Sequence, residues 1–166
     1  ILTHWKAVAQ VPDGWKLMSL GLDFGYTNDP TAIVKVYTDG HGFCLDEVCY
    51  ATGLTNAAIA QTLREADIGK TMVVADSAEP KSIDEIHGHG FNIHPARKGR
   101  DSVRSGIDFL RSRPLLITER SVNGIKELRN YKYKEDKNGR QLNEPVDAFN
   151  HFVDASRYAV SYTHLR

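Results

Sequence analysis

The chain opens its regular structure with an apolar run, Met18-Ser19-Leu20-Gly21-Leu22-Asp23-Phe24-Gly25-Tyr26, which predicts a strand over 18–26. A second strand is expected over Thr31–Thr38, built on Ile33, Val34, Val36 and Tyr37. Asp39-Gly40, followed by Gly42, is a hairpin turn signal and leads into a third strand, Gly42–Tyr50. Three consecutive strands of this kind predict an antiparallel meander. Helical spacing begins after Thr55, a capping residue, with Ala58, Ile59, Leu63 and Ala66 on one face. The uncharged run Thr71–Ala75 predicts a strand buried on both faces. Pro80 starts a short helix to about His87, and Phe91–His94 is a further strand. Asp101 can cap a helix using Val103, Ile107 and Leu110; Leu115–Ile117 is a strand and Ser121–Arg129 a helix. Asn138-Gly139 signals a hairpin between Tyr131–Lys134 and Arg140–Leu142, and a last helix is expected from Val146 to Tyr162. Strands first, then helices alternating with strands, predict an α/β fold with a mixed sheet and the meander at one side.

The length of 166 residues suits one domain with its own core. Residues 1–17, with the turn signal Pro12-Asp13-Gly14, read as a lead-in, and 18–166 as the domain. The start at Ile1 lacks an initiator Met and a signal-peptide pattern, so the expectation is a cut from a longer polypeptide. No apolar stretch is long enough to span a bilayer, and no membrane partner is expected. Cys44 and Cys49, five apart on one strand, point to opposite faces and fit no zinc pattern; a reducing cytoplasm suits them. The net charge is zero, but it is unevenly spread: residues 21–90 carry 4 basic and 11 acidic side chains, residues 91–140 carry 13 basic and 6 acidic. Carboxylates for cations in one half and Lys/Arg for a polyanion in the other is one use of that division.

Asp23 ends an apolar strand and Asp76 ends Met72-Val73-Val74-Ala75-Asp76 in the same manner. A charge in such a place needs a partner or a cation, or caps the following turn. On the last helix Asp147, His151 and Asp154 are spaced four and three apart, which confines them to an arc of about 60°. Convergence of Asp23, Asp76 and this stripe would make an oxygen-rich site with one imidazole, suited to Mg²⁺ or Mn²⁺. Two such ions can serve phosphodiester hydrolysis. Arg97, Lys98, Arg100 and Arg104 begin a basic stretch that extends to Arg140 and is expected to contact DNA phosphates. Tyr131 and Tyr133 alternate with Lys132 and Lys134 and are expected to pack on the core rather than stack on bases.

Leu22-Asp23-Phe24-Gly25-Tyr26-Thr27-Asn28-Asp29-Pro30-Thr31-Ala32, Val74-Ala75-Asp76-Ser77 and Asn150-His151-Phe152-Val153-Asp154-Ala155-Ser156-Arg157-Tyr158-Ala159 together resemble the C-terminal nuclease domain of tailed-phage large terminase subunits, prophage-type members above all. The resemblance covers about residues 18–163. It implies a ribonuclease H-like fold and a divalent-metal-dependent endonuclease that cuts concatemeric viral DNA during packaging, in the host bacterial cytoplasm. It implies Asp23 and Asp76 as the first two metal ligands, with a pair of Mg²⁺ or Mn²⁺ ions. Asp154 matches the third acidic position, while His151, Asn150 and Asp147 are alternatives there; the catalytic set is Asp23, Asp76, Asp154 and His151. The segment Ala96–Val103 also resembles a family stretch near DNA. Implied partners are double-stranded DNA, an N-terminal packaging ATPase domain of the same polypeptide, the portal and the small terminase subunit. The chain itself has no Gly-x-x-x-x-Gly-Lys-Ser/Thr phosphate loop. Two other classes compete: Asp23-Phe24-Gly25-Tyr26-Thr27 mimics the phosphate hairpin of actin-like and sugar-kinase ATPases, and a non-catalytic module docking on DNA or the capsid would need the basic stretch alone.

Overall fold

The computed structural model describes residues 1–97, 99 and 102–162. Among these residues the strands are β1 (Lys6–Val8), β2 (Lys16–Asp23), β3 (Thr31–Thr38), β4 (Phe43–Ala51), β5 (Val73–Ala75), β6 (Ile93–Pro95), β7 (Leu115–Thr118), β8 (Tyr133–Glu135) and β9 (Gln141–Pro145). The helices are α1 (Asn56–Glu65), α2 (Pro80–Gly88), α3 (Ser102–Arg111), α4 (Val122–Asn130) and α5 (His151–Val160). Seven strands form one mixed sheet in the order β1-β7-β4-β3-β2-β5-β6, and β8–β9 is a separate hairpin.

The meander is antiparallel as expected, but it lies in the middle of the sheet and not at one side. The strand β5 adds parallel to β2, and β7 adds parallel to β4. Crossover helices therefore have to run on both faces. Residues 1–17 also differ from a plain lead-in: β1 pairs in parallel with β7, and Leu2 is fully buried. A strand of three residues carries too little alternation to be seen in the sequence.

The period-two pattern of β3 divides the core. Ala32, Val34 and Val36 face a cluster with Phe43, Leu45, Ile107, Leu110, Phe152 and Ala155, under α3, α4 and α5. Ile33 faces the other cluster, with Leu20, Leu22, Ile59, Leu63 and Ile86, under α1 and α2. Thr55 caps α1 by accepting from the Ala58 N–H at 3.1 Å, as its place in the sequence predicts.

The final helix is shorter than expected. It starts at His151, not Val146. Phe149 has a left-handed backbone (φ 53°), which no helix admits, and the Val146 N–H bonds the Lys132 carbonyl at 3.0 Å, which ties that residue to the hairpin side. The Asp147–His151–Asp154 stripe is broken accordingly. The side chain of Asp147 is 90% exposed and stands 3.7 Å from Lys134 Nζ.

Candidate active site

Asp23 and Asp76 are brought together by the parallel pairing of β2 with β5. The register sets Leu22 opposite Ala75, and the Asp76 N–H donates to the Leu22 carbonyl at 3.2 Å. The two carboxylates thus leave neighbouring strands at the same edge, where loops and helix starts collect polar groups. Asp76 also closes a turn, its Oδ1 accepting from the Ala78 N–H at 3.0 Å, so the capping use of this residue and its place in the site are both present.

The third component arrives because α5 runs down one face of β2. Ser19, Gly21 and Asp23 share that face. Ser19 Oγ donates to the Ala159 carbonyl at 2.8 Å. A Cβ on Gly21 would stand 1.6 Å from the Ala155 carbonyl oxygen, so only glycine permits the crossing. Asp23 then meets His151, with Nδ1–H donating to Oδ2 across 3.2 Å. Two strand residues advance about 6.7 Å and four helical residues about 6 Å, which is why contacts repeat at 19, 21, 23 against 159, 155, 151.

Electrostatics follow from this convergence. Burial is the main cause that lifts the Asp23 carboxyl from 3.8 to about 6; the negative charges of Asp154 and Asp76 add to it, while His151 opposes it. Asp154 is raised from its ordinary value by burial, with Asp76 contributing, although Arg157 holds it at 2.9 Å and opposes the shift. Burial and the charges of Asp23, Asp154 and Asp76 all raise the Tyr158 phenol. The imidazole of His151 is raised above 6.5, chiefly by its bond to Asp23. Three aspartates from three elements therefore share one field, and Arg157 pairs with Asp154. The donor chemistry, carboxylate oxygen with one imidazole, fits a hard divalent ion. Among the described residues no three His, Cys, Asp or Glu side chains are yet close enough to enclose one.

Two grooves flank the aspartates. One, of about 510 Å³, lies between α3 and the β8–β9 hairpin and is lined by Arg104, Arg111, Tyr133, Asn150 and Asp154. The other, of about 530 Å³, is lined by Asp76, Ser77, Arg97, Ser102 and Tyr158. Arg157 belongs to both. Arg97 stacks its guanidinium 4.8 Å from the Tyr162 ring centroid. Lys98, Arg100 and the proposed cap Asp101 lie outside the described residues. Tyr131 is buried in the core, as its position predicts, and Tyr133 stays at the groove wall.

Sequence reading missed Glu127. This residue is 1% exposed and takes three hydrogen bonds, two of them from the backbone of α5. The signal was present: Gly124, Glu127, Leu128 and Tyr131 are all buried at helical spacing, so an acid occupies an inward position of α4.

Comparison with known proteins agrees with this geometry. Residues 23–162 match the family described as Terminase RNAseH like domain. The large terminase subunit of Bacillus phage SPP1 is 37% identical over 147 residues, covering 84% of this chain and 34% of that protein. The PBSX phage terminase large subunit of Bacillus subtilis (strain 168) is 31% identical over 143 residues, covering 84% of this chain and 33% of that protein. The chain thus spans about a third of the curated relatives it matches. The crystal structure of the SPP1 large terminase nuclease domain with bound Mn superposes with a TM-score of 0.83 at 28% identity, covering 96% of each chain. With paired strand-end aspartates, a helix that crosses at Gly21 and a match running from Asp23 to Tyr162, this chain belongs to the ribonuclease H-like domain family of phage large terminases.

Proposed function

We propose that the chain is a divalent-metal-dependent DNA endonuclease, the part of a large terminase that cuts concatemeric viral DNA during genome packaging. The observation that carries this reading is the adjacency of Asp23 and Asp76 at the ends of paired parallel strands, with Asp154 facing them. The Mn bound by the SPP1 nuclease domain supports the choice of ion. A pair of Mg²⁺ or Mn²⁺ ions, when bound, supplies Lewis acidity at the scissile phosphodiester. Asp23 and Asp76 would hold them, with Asp154 at the third position once Arg157 releases it.

His151 lies with Nδ1 3.2 Å from Asp23 and Nε2 3.7 Å from Asp29; with its proton at Nδ1 held against Asp23, Nε2 would accept a proton from attacking water. Arg97 and Arg104 stand on the two groove walls and would hold the backbone of double-stranded DNA on either side of the aspartates. Lys98 and Arg100 are assigned to the same surface. The remaining two thirds of the relatives' length supports a packaging ATPase domain in the same polypeptide. The portal and the small terminase subunit are the further partners in this reading, and the host bacterial cytoplasm is its setting. Among the described residues no helix is long and apolar enough to cross a membrane.

Incubation of supercoiled plasmid with the protein and Mn²⁺ tests this. Nicked and linear products are expected, lost with EDTA and lost in Asp76→Asn at unchanged secondary structure. Cleavage that survives chelation, or an Asp76→Asn variant as active as the wild type, would overturn the assignment. DNA binding without cleavage, indifferent to EDTA, is the outcome a docking module gives.

A further inference from the structure

The first turn of α5 carries both His151 and Asp154, yet its capping residue does not fix it. Asn150 occupies the capping position and its side chain makes no capping bond. The free N–H groups are taken instead by a carboxylate from another helix. Glu127 Oε1 accepts from the Phe152 N–H at 2.8 Å and the Val153 N–H at 3.1 Å. Its Oε2 accepts from the Tyr50 hydroxyl at 2.6 Å. Tyr50 in turn sets its ring edge-on to His151, with centroids 6.4 Å apart.

The supporting helix is itself anchored to the sheet. Glu47 of β4 accepts from the Gly124 N–H at 2.7 Å, at the start of α4. A Cβ on Gly124 would approach the Phe152 ring to 2.6 Å, so α4 and α5 are in close contact here. A chain of bonds thus runs from β4 through α4 to the α5 backbone at residues 152 and 153, between the two side chains that face Asp23 and Asp76. A buried carboxylate is costly unless donors surround it, and a helix start provides both N–H groups and the favourable end of the dipole.

We infer that Glu127, locked by Tyr50, is a positioning residue: it caps α5 from α4 and so fixes where His151 and Asp154 stand relative to the strand-end aspartates. This rests on the nuclease reading for its catalytic consequence, but not for its structural one. Glu127→Ala removes the cap, and Glu127→Gln keeps an oxygen for the two N–H groups. Plasmid cleavage with Mn²⁺ and hydrogen–deuterium exchange of peptides covering residues 151–155 read the two consequences separately. For Glu127→Ala, kcat is expected to fall about 100-fold, the scale of a misplacement near 1 Å, with KM for plasmid changed less than about threefold. Exchange in the 151–155 peptides should rise about tenfold while β2–β4 peptides stay protected. Glu127→Gln should recover most of both. Should Glu127→Ala not fold, Glu127→Asp, which withdraws the carboxylate by one methylene, makes the same measurement. Cleavage within about threefold of wild type in the Ala or Asp variant, or exchange that rises equally throughout the chain, would overturn the inference. If the wild type itself does not cut, the nuclease reading fails, and the exchange pattern still decides the role of Glu127.

Discussion

Replacing Asp23 by asparagine should make the protein more stable as it removes activity. The carboxylate is 7% exposed and stands in the field of Asp154 and Asp76, and its folded value of about 6 compares with 3.8 for the ordinary group. At about 1.4 kcal/mol per pKa unit, keeping it ionised at neutral pH costs about 3 kcal/mol of folding free energy. Asparagine removes that cost and its amide oxygen can still accept from His151; the preference of that bond for the charged carboxylate is already contained in the folded value. A gain of about 3 kcal/mol corresponds to a Tm about 6–12 °C higher in a domain of this size.

The pH dependence gives the sharper test. Because the folded value lies above the unfolded one, the penalty is absent below about pH 4, grows as the pH rises towards about 6, and is complete beyond it. The stability gap between variant and wild type should therefore be largest at neutral pH and close on acidification. Thermal melts monitored by circular dichroism across that interval, without divalent ions, measure it. A variant that melts below the wild type at neutral pH, or a gap that does not change with pH, would refute the claim that burial, with Asp154 and Asp76 beside it, penalises the Asp23 charge. Added Mn²⁺ should raise the Tm of the wild type and leave Asp23→Asn nearly unmoved.

Other outcomes follow from the same structure. Gly21→Ala places a methyl 1.6 Å from the Ala155 carbonyl, and loss of more than about 3 kcal/mol of stability is expected in urea titrations, since α5 has to leave the sheet. Asp147→Asn should leave the cleavage rate within about twofold of wild type, a change typical of an exposed site away from the reacting groups; Asp147 is 90% exposed beside Lys134. Arg104→Ala should weaken DNA binding alike on unrelated sequences and reduce the salt slope of log K by about one, as expected for one lost phosphate contact in filter binding.

Much of this fold was legible because local signals agreed with it. Asp39-Gly40 turned the meander, Thr55 capped α1, and the uncharged run at 73–75 became a strand buried on both faces. Asp23 and Asp76 were legible as charges at the ends of apolar strands, and His151 and Asp154 as members of a polar stripe at helical spacing. The missed features depend on distant partners. Asp147 lies at helical spacing from His151, but the left-handed backbone at Phe149 ends the helix between them. The central place of the meander depends on β7 choosing β4, a pairing 72 residues apart with no local cue. Glu127 was hidden because one acid in a short helix looks like surface until the start of α5 is seen against it.

The crossing at Gly21 also dictates how the last helix can dock. A main-chain oxygen comes this close only where the strand lacks a β-carbon, so α5 crosses β2 at residue 21. That crossing is set before any ion or DNA arrives, so the polypeptide aligns the imidazole of its own reaction centre with Asp23 as it folds.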